Sequence, residues 1–490
     1  MNFKLLKSSK NLQNSIWNII EVLLSPLILF ISIPIFLEQL GAQEYGIWMF
    51  VNTVIVVMQA FNLGLNYSTY KHVSTSISNK AQQQIYDTLN TNLSLTVVIF
   101  FVGLFFCSLL SLSIYYLDWF VDPNTTKKRL ILCLLIGAVI LFTKLAEQIL
   151  YNVYRAYENF KYVTVISVAI KIITVLGNIA LAIFFQNIIY ILCFTAITAS
   201  LGLLINYRIL HQFIPNYRYQ FILSKSLVKH EINYSLYIWL QSIAIILTYQ
   251  GDRLLVSYGF SLSVLSYYAI VSTIYNHIHM AFAAITAWIF PQIAKNQNNK
   301  QLIFDIYINS RNITAVLSIV LLCLFCLLSK PLFTIWLGTE HYMQIKDYLR
   351  WFSIFEFFFI FTIIPNYFLN ASGNEKFSLK MVLSFTGLNM MGILLGFFFY
   401  QTTIAMLVGL VVTTIVGMYW YHLNIVIQFD SSKQQRQLKL LLLFTPSLLG
   451  SGTAFFDVLY LQLLAFALCL ISLYFVFIRN PLTNFKLLLQ

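Results

Sequence analysis

The apolar residues of this chain fall in long unbroken blocks. Between Ile16 and Ile478 they form roughly fourteen segments, each long enough to cross ~30 Å of hydrocarbon as a helix. The first six lie at about 16–37, 45–65, 92–117, 130–154, 162–185 and 187–207. Six more follow at about 233–257, 264–290, 312–336, 350–369, 378–400 and 402–427, and two, at about 438–454 and 457–478, close the series. A membrane β-strand would alternate apolar and polar residues over about ten positions, so continuous blocks predict helices. The expected fold class is an all-α membrane protein of about 14 transmembrane helices. Composition agrees, because 59% hydrophobic and 10% charged residues over 490 positions leave too little polar surface for a soluble globule.

Charge adds an orientation. Cytoplasmic loops near helix ends retain Lys and Arg, and placing the N-terminus in the cytoplasm puts 21 of the 30 inside. Six fall outside, Lys127, Lys128, Arg129, Lys330, Lys346 and Arg350, and they share their loops with Asp118, Asp122, Glu340 and Asp347. Both termini are therefore expected in the cytoplasm. The net charge of +13 follows from this bias, and the charges are spread over many loops, so no nucleic-acid partner is implied. The first segment reads as a retained helix. It exceeds the roughly 7–15 residues of a signal h-region, carries Glu21 and has no small-residue cleavage site after Leu37. The six cysteines lie in apolar segments and imply neither disulfides nor a metal site; the Cys323/Cys326 spacing reads as coincidence.

The helix order divides as six, six and two. The junction after the fourth segment, Arg155-Ala156-Tyr157-Glu158-Asn159-Phe160-Lys161-Tyr162, aligns with the one after the tenth, Asn370-Ala371-Ser372-Gly373-Asn374-Glu375-Lys376-Phe377, at an offset of 215. A weaker echo links 44–48 with 266–270. Halves with an even number of helices run parallel and are related by an axis along the membrane normal. The expected domains are an N-lobe at 1–208, a cytoplasmic linker at 209–230, a C-lobe at 231–428, and helices 13–14 with a tail at 429–490. A central cavity between the lobes is part of that expectation.

The six-six-two order, the stretch Leu40-Gly41-Ala42-Gln43-Glu44-Tyr45-Gly46-Ile47-Trp48, Asp252-Arg253 late in the seventh segment and the Asn370-Ala371-Ser372-Gly373 turn together resemble the O-antigen and capsule repeat-unit flippases of the MOP superfamily. That superfamily also holds lipid II flippases and MATE drug exporters. The resemblance implies a helical bundle that moves an undecaprenyl-pyrophosphate-linked glycan across the inner membrane by alternating access, in contact with membrane lipids and with polysaccharide polymerase machinery. It implies no cofactor beyond a coupling ion, H+ or Na+, and no enzymatic activity. A MATE-like multidrug or cation antiporter is the alternative, and it would need an acidic cavity. A polymerase or ligase would need a long external catalytic loop, whereas the loops at about 118–129 and 337–349 are short. No P-loop motif is present.

Charges inside helices mark candidate sites, since each costs roughly 2.5–3.5 kcal/mol at a helix centre. They are Glu21, Lys144, Glu147, Lys171, Asp252, Arg253 and Glu356. Lys171 lies about ten residues into its helix, near mid-membrane at ~1.5 Å per residue, and could replace the hydration of a diphosphate. It could equally pair with an acid on another helix. Lys144 and Glu147 share a helix face and could neutralise each other locally. Arg253 could contact a head group or snorkel to the outer interface. Thus Lys171, Lys144 and Arg253 are the substrate-binding candidates, and Glu21, Asp252, Glu147 and Glu356 the ion-coupling candidates, with structural pairing as the competing role. His277 and His279 read as packed neutral side chains. Pro26, Pro34 and Pro365 are candidate gates because proline removes a helix hydrogen bond, although packing alone also accounts for such prolines.

Overall fold

The computed structural model describes the backbone of residues 10–62, 64–116, 127–223, 225–296, 298–429 and 444–478, and their side chains except at 10–25, 67, 127, 225–238 and 477–478. Among these residues every regular element is helical. In order they are α1 (Lys10–Gln59), α2 (Leu65–Ser78), α3 (Gln82–Tyr116), α4 (Lys127–Ala156), α5 (Phe160–Phe185), α6 (Ile188–Phe213), α7 (Lys225–Gly259) and α8 (Leu262–Thr286). After them come α9 (Ile289–Lys295), α10 (Lys300–Phe359), α11 (Ile363–Ala371), α12 (Glu375–Tyr400), α13 (Thr403–Phe429), α14 (Thr445–Phe455) and α15 (Leu459–Leu473). Helices are the outcome because lipid offers no partner for backbone N–H and C=O groups, so each segment must satisfy its own.

Nine described stretches are long and apolar enough to cross a membrane. Two of them hold a pair of apolar segments each, in α1 and α10, joined at Gly41 (φ 78°, ψ 163°) and Gly338 (φ 85°, ψ 163°). That backbone region is essentially open to glycine alone, so the chain turns there without an intervening loop. With α7, α8 and α14, each of the fourteen predicted segments has a helical counterpart, residues 438–443 of the thirteenth lying outside the described residues. The sequence pattern did not predict α2 or the first ten residues of α3. Both are polar, and they hold together through bonds such as Asn92 Nδ2 donating to Thr69 Oγ1 at 2.8 Å.

The chain packs as two compact units, residues 1–246 with 253–266, and residues 247–252 with 267–490. In the first, α4 packs on α6 and α3, and α1 on α5. In the second, α12 lies along α13, and α10 packs on α14 and α13. The offset of 215 recurs in their backbones. Helices α5 and α12 begin at Phe160 and Glu375 and end at Phe185 and Tyr400. The turn before each holds one residue at positive φ, Glu158 (59°) or Gly373 (75°), and the helix ends on Gln186 (49°) or Gln401 (51°). The N–H of Asn159 donates to the Tyr154 carbonyl, and that of Asn374 to the Leu369 carbonyl, both at 2.9 Å. Gly177 faces Phe194 where Gly392 faces Gly409, and Gly202 faces Ile170 where Gly417 faces Phe385.

Candidate functional site

Within the first unit, α1, α2, α4, α5 and α6 line a cavity of about 910 Å³. Two helices give it a polar wall. From α4 come Lys144, Glu147, Gln148, Tyr151, Asn152 and Arg155, spaced three or four apart and so on one face. From α5 come Ser167, Lys171, Thr174 and Asn178 with the same spacing. Elsewhere these helices are apolar and face lipid or neighbours, so the polar stripes are the part of each helix that tolerates water.

The stripes hold three cationic side chains, Lys144, Arg155 and Lys171, and one carboxylate, Glu147. Lys144 is within electrostatic reach of both Glu147 and Lys171. Glu147 is 9% exposed, and its Oε1 accepts from Asn206 Nδ2 at 3.3 Å. The same amide nitrogen also reaches the Gly202 carbonyl at 3.0 Å. Glycine at 202 permits this approach, for a Cβ there would lie 2.6 Å from Glu147 Oε1. Asn66 Nδ2 donates to Gln148 Oε1 at 2.6 Å, and Asn178 Nδ2 to Thr195 Oγ1 at 3.0 Å. Neutral hydrogen bonds thus tie several of the polar lining residues together, in a cavity whose lining carries three cations and one carboxylate.

The structure brings Lys171, Lys144 and Glu147 together and leaves the other predicted residues apart. Arg253 is 6% exposed and does not line this cavity; buried near Tyr45, it does not snorkel to an interface as the sequence allowed. Asp252 accepts a 2.7 Å hydrogen bond from the Tyr268 hydroxyl in the second unit. Glu356, 1% exposed, is 2.9 Å from His279 Nδ1, whose ring stacks on Phe359 at 4.4 Å. This is the structural pairing weighed for Glu356 from sequence. The side chain of Glu21 lies outside the described residues. Pro26 and Pro34 sit within α1 with no break in helical backbone beside them, whereas Pro365 follows a 3₁₀ turn at Ile360–Thr362 that separates α10 from α11. A proline at 365 cannot bond back to the carbonyl of 361, which fits the break.

Sequence reading missed Arg155 and the neutral partners Asn152, Ser167, Thr174 and Asn178. Their three-to-four spacing in apolar helices was the available signal. Arg311, in α10, is 8% exposed, and its guanidinium lies 5.7 Å from the Tyr307 ring.

Helical stretches long and apolar enough to cross a membrane, with a polar, predominantly cationic cavity inside the first unit, mark an all-helical membrane protein. The chain belongs to the polysaccharide biosynthesis protein family, whose profile matches residues 11–297. Among solved structures it is similar to an inward-facing MATE-family multidrug resistance transporter of the MOP superfamily, at TM-score 0.66 and 12% identity over 83% of this chain and 96% of that one. It is also similar to the lipid II flippase MurJ in an inward closed conformation, at 0.65 and 14% over 95% and 97%. A MOP superfamily transporter from Pyrococcus furiosus, described as having a binding pocket of reversed polarity, aligns at 0.58 and 14% over 88% and 98%. No curated protein sequence matches the chain.

Proposed function

We propose that this protein is a flippase for an undecaprenyl-pyrophosphate-linked oligosaccharide, an O-antigen or capsule repeat unit, which it carries from the cytoplasmic to the outer leaflet by alternating access. The observation that carries the reading is the excess of cations in the first unit's cavity, Lys144, Arg155 and Lys171 against Glu147. Three cations against one carboxylate give the described lining a net positive charge, and a diphosphate offers several oxygens to share among them. A carrier of organic cations would need the opposite balance, so the MATE-like alternative finds no support in this chamber. Coupling to H+ or Na+, with Asp252, Glu147, Glu356 or Glu21 as the carrying group, belongs to the same proposal. So does the orientation with both termini in the cytoplasm of a bacterial inner membrane.

The test is Lys171→Ala in cells that depend on this chain for surface polysaccharide. The expected result is protein at the normal level in the membrane, lipid-linked repeat units accumulating on the cytoplasmic leaflet, and surface glycan reduced at least about tenfold, the scale of one lost charge-assisted contact. Normal surface glycan in this variant would overturn the assignment of Lys171. Unchanged leaflet distribution together with new drug sensitivity on depletion would instead favour the exporter.

A further inference from the structure

A second cavity, of about 360 Å³, lies wholly within the second unit, where the end of the first half of α10, the start of its second half and the α14–α15 connection meet. Lys330, Lys346 and Arg350 line it, together with Tyr342, Asp457 and Gln462. Arg350 is committed: its Nη2 is 2.6 Å from Asp457 Oδ1, its Nη1 is 3.8 Å from Asp347 Oδ1, and its guanidinium lies 5.7 Å from the Phe455 ring. Gln462 Nε2 donates to the Phe456 carbonyl at 2.7 Å and fixes the connection that carries Asp457. Asp457 is the carboxylate of the lining and is held by Arg350, so Lys330 and Lys346 give the pocket a net positive charge.

These three residues are half of the six cations that the charge bias leaves on the outer side. Lys and Arg there oppose the usual topological preference, and their convergence on one pocket at the end of apolar helices gives them a common purpose. We propose that this pocket binds the phosphate of an anionic lipid head group, Lys330 and Lys346 contacting the phosphate oxygens and the Arg350–Asp457 pair setting the wall. The site itself stands on the pocket; only its assignment to the outer leaflet rests on the orientation proposed above. Two lipids share the required chemistry, a resident anionic phospholipid and the diphosphate lipid that a flippase would deliver to that leaflet.

Native mass spectrometry of the purified full-length protein, in neutral detergent with phosphatidylglycerol, undecaprenyl diphosphate or zwitterionic phosphatidylcholine, separates them. Wild type is expected to retain an anionic lipid over phosphatidylcholine. The double variant Lys330→Gln, Lys346→Gln should lose that preference by about tenfold or more, since two charge-assisted contacts are removed. Lys330→Arg, Lys346→Arg should keep it. Selective, lysine-dependent retention of undecaprenyl diphosphate assigns the pocket to the delivered lipid, and equal retention of phosphatidylglycerol assigns it to a resident one. Retention of both anionic lipids by the Gln variant at wild-type level would overturn the site, and the single variant Lys346→Gln gives the same readout should the double variant fold poorly. Phosphatidylglycerol is not the cargo proposed for the first unit's cavity, so its Lys330- and Lys346-dependent retention is read independently of Lys171, and failure of the flippase reading and failure of this site are told apart.

Discussion

At the scale of single residues, Glu147 is the point where packing and charge meet. Its carboxylate is held by a neutral donor, Asn206, and lies within electrostatic reach of Lys144. A glutamine at 147 still accepts from Asn206 while removing the negative charge. Glu147→Gln is therefore expected to unfold within a degree or two of wild type, whereas Glu147→Leu, which removes one acceptor from a fully buried amide that keeps the Gly202 carbonyl, should lose about 1 kcal/mol. Thermal unfolding of the two variants in detergent checks this. The Gln variant should also bind inorganic diphosphate more tightly, because the cavity then carries three cations and no counter-charge among its described lining residues. Equal stability of the two variants would show that the Asn206 bond contributes little. Lys144 and Lys171 were legible in the sequence because a charge in an apolar run is costly and so stands out. Burial of Arg253 away from this cavity was not legible, because it depends on contacts between segments distant in sequence.

At the scale of elements, hydropathy located the fourteen segments but not their joints. Polar residues at 65–78 and 82–91 carry no membrane signal, yet they extend the bundle as helix, with Tyr217 Oη donating to Asn90 Oδ1 at 2.9 Å to tie the segment after α6 onto α3. The opposite omission occurs at Gly41 and Gly338, where apparent loops are single glycine joints at which two helices meet. At both positions a Cβ would meet nothing within 4 Å, so the need for glycine is conformational and not steric. Gly338→Ala is expected to lose about 1–3 kcal/mol through backbone strain alone. Gly387, within α12 and also clear of neighbours, supplies the control. Gly387→Ala should be neutral or slightly stabilising, because alanine is the better helix former. Matching melting temperatures for the two alanine variants would refute strain at the joint.

At the scale of the whole molecule, the repeat is stronger than its short sequence echo suggested. The eight-residue junction match is joined by glycines at 177 and 392 and at 202 and 417, and by glutamines at 186 and 401, all at the same offset. These matches are scattered because only crossing points and helix ends constrain residue type, while lipid-facing positions accept any apolar side chain. Charge breaks the symmetry. By the same offset Lys144, Glu147, Arg155 and Lys171 correspond to Phe359, Thr362, Asn370 and Thr386, none of them charged. Thr386 is instead engaged in the second unit, its Oγ1 2.8 Å from Thr248 Oγ1. The two units share a backbone plan, then, but the cations of the first unit's cavity have no charged counterparts at this offset in the second. It follows that moving the lysine across the repeat cannot rescue its loss. In the double variant Lys171→Ala, Thr386→Lys, surface glycan is expected to stay as low as in Lys171→Ala, because Thr386 stands among neutral hydroxyls with no companion cations at the equivalents of 144 and 155. Recovery of export in that variant would mean that either half can hold the head group, and that the asymmetry of charge between the repeats does not decide where the cargo is bound.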